Sequence, residues 1–255
     1  MIMGKRIVIT GASSGIGAEL CKILANENPI LAVARRVERI PQHSNITALS
    51  CDISTKNGID RVIEEAYKQL GDIDIFISNA GFAYYEKWRD ADWDHMDAIF
   101  KTNVYAPLYG LQALRQRKGK QSFQYIITAS AMSFYAMPGY ALYSGTKFAL
   151  RGFADALRYE LEAGQHLQLV YPIATLTEFF SVAQSGHMPW PRQKASTVAR
   201  AIIRGIEQKK KHIFPSKMYR FMQGLSRILP IIPLYMQMEG WKFRKEFAEK
   251  EAVHD

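Results

Sequence analysis

Clustered histidines, paired cysteines and long apolar runs are what this sequence lacks. The two cysteines, Cys21 and Cys51, suggest no disulfide framework or metal site, and the six histidines lack the spacing of metal ligands. No uninterrupted apolar run reaches about 18 residues, so we predict no membrane-spanning helix. The N-terminus enters a strand directly, without the long apolar core of a signal peptide. These absences favour a cytoplasmic protein without a bound metal.

Acidic residues are scarce in the last quarter of the chain. Residues 190–255 hold 14 basic and 6 acidic side chains, whereas residues 1–189 hold 19 and 18, so the net charge of +9 belongs mainly to the C-terminal quarter. No nucleic-acid-binding motif accompanies this charge, and we expect no nucleic-acid partner. Repeats and interdomain linkers are also absent. We therefore predict one domain, residues 1–215, with a helical C-terminal extension, residues 216–255.

Strand and helix signals alternate along the predicted domain. Short apolar runs predict strands at residues 5–10, 30–34, 46–50, 74–78, 123–128, 168–171 and 212–214. Helical patterns separate many of them, at residues 18–26, 58–70, 143–161 and 195–208. This alternation predicts an α/β fold with a seven-stranded, mostly parallel sheet and helices on both of its faces.

A glycine-rich turn follows the first strand. Gly11, Gly15 and Gly17 let the chain turn tightly and let its backbone approach a pyrophosphate, while the N-terminus of the next helix presents unpaired N–H groups to the anion. The spacing G-x-x-x-G-x-G differs from the standard fingerprint, but its place after a first strand favours dinucleotide binding. The other coenzyme-binding candidates in this turn are Ser13, Ser14 and Ile16.

The residues after the second and third strands bear on the type of coenzyme. Arg35 and Arg36 follow the second strand, where a carboxylate would suit a ribose 2′-hydroxyl and arginine suits a 2′-phosphate. No Asp or Glu occurs there before Glu38, so we expect NADP(H) in preference to NAD(H); the alternative is a solvated arginine pair. Asp52, with Ile53 beside it, either meets the adenine edge or is a turn or cap residue, and the sequence leaves both open.

Tyr143 and Lys147 form the pattern on which the functional prediction depends. Their spacing of four residues places them on one face of the predicted helix. A neighbouring ammonium favours phenolate, so we expect the tyrosine pKa to fall from about 10 towards neutrality, where the phenol can exchange a proton. Ser130, after an apolar strand, can point its hydroxyl at the same spot. The alternative for the pair alone is an ordinary helix contact with an exposed lysine.

Taken together, these motifs resemble those of the classical short-chain dehydrogenase/reductases, over residues 5–215. The ordered set is Thr10-Gly11-x-x-x-Gly15-x-Gly17, Asp52, Asn79-Ala80-Gly81, Asn103, Ser130 and Tyr143-x-x-x-Lys147. The resemblance implies a single doubly wound Rossmann domain in which hydride moves between a substrate carbon and a nicotinamide. It also implies a homodimer or homotetramer, formed through the helices that hold Asn103 and Tyr143.

The same resemblance implies a role for each catalytic residue. Tyr143 would donate the proton when a carbonyl is reduced, and Lys147 would lower the tyrosine pKa and hydrogen-bond the nicotinamide ribose. Ser130 would steady the developing oxyanion. Asn103 would hold a water that links Lys147 to bulk solvent.

Further coenzyme contacts are implied by family position. Thr10, Ser14 and Ile16 would line the pyrophosphate turn. Ile173 departs from the family pattern by replacing a glycine, which bears on the shape of the nicotinamide pocket; Ser78 and Thr146 also depart from it but remove no catalytic group. The remaining expected coenzyme contacts are Asn79, Ala80, Gly81, Pro172 and Thr177.

Two apolar segments lie outside the shared motifs. Residues 176–191 are predicted to form a lid over a bulky apolar carbonyl or alcohol. Residues 218–247 combine apolar, aromatic and basic side chains with two helix-breaking prolines, Pro230 and Pro233. This tail either contacts the inner face of a membrane peripherally, folds over the substrate cleft or forms an oligomer interface. The large apolar residues of the predicted lid are Phe179, Phe180, Met188 and Trp190.

The sequence as a whole predicts an NADPH-dependent carbonyl reductase or alcohol dehydrogenase acting on an apolar substrate. The alternative is a catalytically vestigial protein that binds NADP(H) for regulation or as a scaffold. The intact set Asn103, Ser130, Tyr143 and Lys147 favours the enzyme, because a protein without catalysis has no chemical need of all four.

Overall fold

A seven-stranded parallel sheet organises the chain, whose computed structural model describes residues 2–185, 188–226 and 228–252. The sheet order is β3-β2-β1-β4-β5-β6-β9, and every pairing is parallel. Strands β7 and β8 pair separately in a small parallel sheet. The strands are β1 (Ile7–Thr10), β2 (Ile30–Ala34), β3 (Ile46–Ser50), β4 (Ile75–Ser78), β5 (Phe123–Thr128), β6 (Gln165–Val170), β7 (Ala174–Leu176), β8 (Arg192–Lys194) and β9 (His212–Ile213).

Helices cover both faces of this sheet, which confirms the predicted doubly wound architecture. One buried cluster joins one face of the sheet to α2, α4 and α5, and a second joins the other face to α1 and α7. A π-helical turn, Lys101–Tyr105, connects α3 to α4. The helices are α1 (Gly15–Leu24), α2 (Lys56–Leu70), α3 (Trp93–Phe100), α4 (Ala106–Lys118), α5 (Ala141–Leu157), α6 (Phe179–Val182), α7 (Ala195–Glu207), α8 (Lys217–Leu225) and α9 (Ile231–Ala252).

The sheet order reverses between β1 and β4, and this reversal opens a crevice at their carboxyl ends. The glycine-rich turn lies at the end of β1, and Asn79 follows β4. The Asn79 side chain donates to the carbonyl oxygen of Thr10 at 3.2 Å and accepts from the Thr128 hydroxyl at 3.2 Å. One asparagine thus fastens together the ends of β1, β4 and β5, where the crevice begins.

Strand bounds were predicted more accurately than helix bounds. The predictions for β2, β3 and β5 match to the residue, whereas α5 begins two residues before the predicted start and gives way at Leu157 to a 3₁₀ turn, Arg158–Glu160. The segment without clear periodicity, residues 176–191, contains α6, and β7 and β8 lie at its two ends. Its elements are too short to produce a repeating pattern.

The C-terminal extension folds as two helices, α8 and α9, that pack on each other. Pro230 precedes α9, but Pro233 lies within its first turn, where a missing N–H breaks no helical hydrogen bond, so only Pro230 separates the helices. None of the helices in the described ranges is long and apolar enough to cross a membrane. Three residues of the predicted lid and tail, Gly186, His187 and Arg227, lie outside the described residues, as do residues 253–255 of the extension.

Candidate active site

A cavity of about 680 Å³ opens at the carboxyl ends of the central strands. Most of the predicted site residues line it, although they come from distant parts of the chain. Gly17 and Asn103 lie behind the wall and support it. The predicted residues in the lining are Gly11, Ser13, Ser14, Gly15, Ile16, Arg35, Arg36, Asp52, Ile53, Asn79, Ala80, Gly81, Ser130, Tyr143, Lys147, Pro172 and Thr177.

The glycine-rich turn forms a cradle that side chains would fill. Gly11 and Gly15 have φ values of +68° and +54°, which glycine adopts without strain. A Cβ on Gly17 would lie 2.1 Å from the carbonyl oxygen of Gly11, and one on Gly15 would lie 2.9 Å from Cγ2 of Thr177. Ser14 occupies the N-cap position before α1, but its side chain makes no capping hydrogen bond to the first N–H groups of the helix. This backbone fits a pyrophosphate.

Asp52 is a turn residue that also lines the cavity, and its contact with the adenine edge stays a prediction. Its carboxylate accepts from the Ser54 backbone N–H at 3.0 Å. That hydrogen bond is the main reason that its pKa lies below the ordinary value, and the charge of Arg35 also lowers the pKa. The group is therefore an anionic acceptor at neutral pH.

Glu178 ties the loop after β7 to the arginines that follow β2. Its carboxylate pairs with Arg39 and lies 3.7 Å from Arg36. The hydrogen bond from Arg39 lowers the pKa of Glu178 and raises the pKa of Arg39. Sequence reasoning missed both Arg39 and Glu178, because they lie 139 residues apart and neither belongs to a local motif.

Ser130 and Tyr143 meet at the inner end of the cavity, each only 8% exposed. Burial raises the pKa of Tyr143 above its ordinary value, and the neighbouring Ser130 hydroxyl opposes part of that rise. The Ser130 oxygen accepts from the Met132 backbone N–H at 3.1 Å, and this bond fixes its position at the start of a 3₁₀ turn.

Lys147 is 3% exposed, so the alternative of an ordinary exposed lysine is wrong. Its ammonium donates to the carbonyl oxygen of Thr128 at 2.9 Å and lies 5.3 Å from the centroid of the Tyr143 ring. Burial lowers the pKa of Lys147 to about 7. The expected fall in the tyrosine pKa is therefore not met in the protein alone, because burial disfavours phenolate and ammonium alike.

Asn103 holds the loop after β4 against α5 from within the π-helical turn, and it is 1% exposed. Its side chain accepts from the Phe82 backbone N–H at 3.1 Å and donates to the Phe82 carbonyl oxygen at 2.9 Å and to the Thr146 hydroxyl at 3.3 Å. A Cβ on Gly81 would lie 3.1 Å from Oδ1 of Asn103 and 3.6 Å from Nζ of Lys147. The water-holding role of Asn103 stays a prediction.

Apolar and aromatic side chains form the other half of the cavity. Phe179 of the predicted lid packs edge-on to Tyr143, with ring centroids 5.2 Å apart. Ile173, the departure from the family pattern, lines the wall, and its carbonyl oxygen accepts from the Thr175 hydroxyl at 2.8 Å. Further lining residues that the sequence did not single out are Met132, Tyr135, Met137, Tyr219, Met222, Ile232 and Tyr235.

The C-terminal helices contribute directly to this wall. Tyr219 of α8 donates to the carbonyl oxygen of Ala131 at 3.3 Å, and Tyr235 of α9 packs with the buried cluster that includes Tyr143. No local pattern could have identified these residues, because their contacts span about ninety positions. In the described part of the chain, no cluster of three or more His, Cys, Asp or Glu could hold a metal ion.

Comparison with known proteins gives consistent matches. The short chain dehydrogenase family model matches residues 5–186. An uncharacterized oxidoreductase of Staphylococcus saprophyticus is 34% identical over 170 residues, covering 62% of this chain and 68% of that protein. Epidermal retinol dehydrogenase 2 of Homo sapiens is 26% identical over 246 residues, covering 90% and 80%. A short chain dehydrogenase from Burkholderia cenocepacia in complex with NADP superposes with a TM-score of 0.78 at 21% identity, covering 89% of this chain and 94% of that one.

Proposed function

Because the chain belongs to the short chain dehydrogenase family, we propose that it is an NADPH-dependent oxidoreductase acting on an apolar ketone or secondary alcohol. The observation that carries this proposal is the buried set Ser130, Tyr143 and Lys147, located between a pyrophosphate cradle and an apolar cavity. When bound, the coenzyme supplies or accepts the hydride. Every other requirement of the reaction falls to side chains of this chain.

Tyr143 is the proposed general acid in reduction and the general base in oxidation. Its hydroxyl and that of Ser130 both border the inner end of the cavity, so a carbonyl oxygen placed between them would accept from both O–H groups. Burial keeps Tyr143 protonated at neutral pH, as a proton donor must be. Lys147, with a pKa of about 7, is the nearby group that can resupply the proton.

Arg35 and Arg36 are the proposed site for a 2′-phosphate, which makes NADP(H) the preferred coenzyme and NAD(H) the lesser one. Both line the cavity beyond the end of β2, on the side of Asp52 and Ile53. Arginine side chains give this end of the cavity a positive charge, and no carboxylate of the chain precedes Glu38 in this loop to accept from a 2′-hydroxyl.

The proposed substrate is bulky and apolar. Met132, Met137 and Phe180 supply lining that cannot hydrogen-bond a polar substrate body, whereas Ser130 and Tyr143 supply the donors that fix one oxygen. The similarity to a retinol dehydrogenase supports this class, since retinol is a long apolar alcohol.

We also propose a homodimer or homotetramer in the cytoplasm, in peripheral contact with the inner face of a membrane through residues 218–247. Two exposed aromatic residues support the oligomer. Tyr105, near Asn103, is 57% exposed, and Phe148, on the helix that carries Tyr143, is 43% exposed.

The test is coenzyme oxidation by purified protein across aliphatic, aromatic and steroid ketones, with both NADPH and NADH. We expect turnover with NADPH that falls at least about 100-fold in Tyr143→Phe. Tyr140→Phe is the matched control, because Tyr140 is also buried and neighbours Tyr143 but lies outside the cavity lining. Tight NADPH binding without turnover of any ketone would favour a regulatory or scaffold role instead.

A further inference from the structure

Large exposed apolar side chains are concentrated in the C-terminal helices. Seven lie within the 24 residues from 218 to 241, whereas nine are spread over the rest of the described chain. Scattered single cases are normal, but a contiguous group indicates a contact surface. We call these seven residues the C-terminal apolar face: Met218, Phe221, Ile228, Leu229, Leu234, Met238 and Trp241.

This apolar face is organised by helical periodicity. Leu234, Met238 and Trp241 follow a spacing of four and three along α9, so they lie on one side of it, and Met218 and Phe221 are three apart on α8. The opposite side of α9 is occupied by the protein: Tyr235 and Met236 pack into the cluster around the active site. These helices are therefore apolar both where they meet the protein and where they meet solvent.

The charges next to this face are mainly positive. Lys217, Arg220, Arg244 and Lys245 are exposed, and the Lys245 ammonium lies 5.6 Å from the centroid of the Trp241 ring. Glu249 is an exposed acidic residue near these cations, and its carboxylate oxygen lies 3.8 Å from the Lys245 ammonium.

The other carboxylates of α9 that precede Lys250 point towards the protein. Glu239 is 6% exposed and pairs with Lys242, and Glu246 accepts from the Tyr85 hydroxyl at 3.1 Å. The outward surface of α8 and α9 is consequently apolar with a cationic margin.

We propose that the C-terminal apolar face docks on an anionic lipid surface and admits an apolar substrate to the cavity from the lipid. Apolar side chains partition into the boundary between headgroups and acyl chains, and lysine and arginine at the margin attract anionic headgroups. Tryptophan with a neighbouring lysine suits that boundary, because the ring is apolar and the cation stays in the headgroup layer.

The access route follows from the two sides of the same helices. The active-site cavity is lined by Tyr219 and Met222 of α8 and by Ile232 and Tyr235 of α9, the same two helices that carry the apolar face. A substrate dissolved in lipid can reach the cavity past these helices without crossing water. Both parts rest on the proposed function, since the docking refines the proposed membrane contact and the route requires an apolar substrate.

Vesicle sedimentation with the purified full chain tests the docking. We expect binding to vesicles containing phosphatidylglycerol, weaker binding to pure phosphatidylcholine, and loss of binding at high salt. Phe221→Ser with Trp241→Ser should weaken binding at least about tenfold. Trp93→Ser is the matched control, because Trp93 is 78% exposed but far from α8 and α9 in the chain, and it should leave binding unchanged.

Three results would overturn the docking. The first is no binding to either kind of vesicle. The second is equal loss of binding in Trp93→Ser, which would show that any exposed tryptophan serves. The third is self-association that the Phe221 and Trp241 changes abolish in a protein that binds no vesicles, which would assign the face to a second copy of the chain.

The access route is tested by turnover. The double variant should reduce a long-chain ketone carried in anionic vesicles about tenfold more slowly, in proportion to its lost binding, while it reduces a small water-soluble ketone at the wild-type rate. Equal rates on the vesicle-borne ketone would overturn the route. Vesicle binding by a protein that reduces no ketone would support the docking and contradict the reductase activity, so the two failures are distinguishable.

Discussion

The hydroxyl of Tyr219 donates a hydrogen bond to the carbonyl oxygen of Ala131 at 3.3 Å, and this bond joins α8 to the residue next to Ser130. Tyr219 is 5% exposed and lines the cavity. The C-terminal extension is therefore connected to the catalytic segment itself. A division of the chain at residue 215 stays a prediction, but the two parts share one active-site wall.

Tyr219→Phe should lower the free energy of unfolding by about 1 kcal/mol, the ordinary net value of one hydrogen bond. The loss should stay that small because the Ala131 oxygen keeps its second donor, the Phe134 backbone N–H at 3.0 Å. Urea denaturation measures it. Tyr159 is 94% exposed, so Tyr159→Phe should leave the free energy of unfolding unchanged. An equal loss of stability in both variants would contradict a stabilising role of the Tyr219 hydrogen bond.

Lys147→Met should remove a pH dependence of stability. The folded-state pKa of about 7 lies below the unfolded value of 10.5, so between these values the unfolded chain binds the extra proton and wild-type stability rises with pH, by up to about 1.4 kcal/mol per unit. Denaturation should show that the free energy of unfolding of the wild type, relative to that of the variant, is larger at pH 9 than at pH 7. Lys101→Met, at a lysine that is 47% exposed, should show no such trend.

Arg36→Gln should weaken NADPH binding about tenfold, because one charge-assisted contact to a phosphate contributes about 1.5 kcal/mol or more. NADH, which has no 2′-phosphate, should bind within about threefold of its wild-type affinity. Calorimetric titration with both coenzymes measures the ratio. Equal weakening of the two would mean that Arg36 does not contact a 2′-phosphate.

Glu178→Gln should tighten NADPH binding several-fold and leave NADH almost unchanged. Glu178 pairs with Arg36 and Arg39, so it competes with a 2′-phosphate for the same cations, and because the pair is exposed to solvent the gain should stay small. Glu38→Gln is the matched control, since it removes a carboxylate from the same loop as the arginines. A gain in both variants would indicate a general effect of charge.

Gly17→Ala should destabilise the fold by about 2 kcal/mol or more, because the new Cβ would lie 2.1 Å from the backbone oxygen of Gly11. Gly152→Ala should instead raise stability by about 0.5–1 kcal/mol, since Gly152 lies inside α5 with no atom within 4 Å of an added Cβ. Thermal unfolding of both variants compares a glycine that the turn after β1 requires with a glycine that α5 does not require.

The sequence by itself determined the fold and the polar half of the site. Strand and helix periodicity depends on neighbouring residues, so β2, β3 and β5 were predicted to the residue. Tyr143 and Lys147 were likewise found from their spacing of four residues on one helix, and Ser130 from its place after an apolar strand. Local spacing also located the glycine-rich turn.

Only the tertiary structure decided the environment of these residues. The pKa directions of Tyr143 and Lys147 depend on burial by the whole fold, and a spacing of four residues cannot report how much water surrounds a pair. Glu178 meets Arg39, and Tyr219 meets Ala131, across separations of 139 and 88 residues. Such contacts depend on how the elements pack, and no local pattern encodes them.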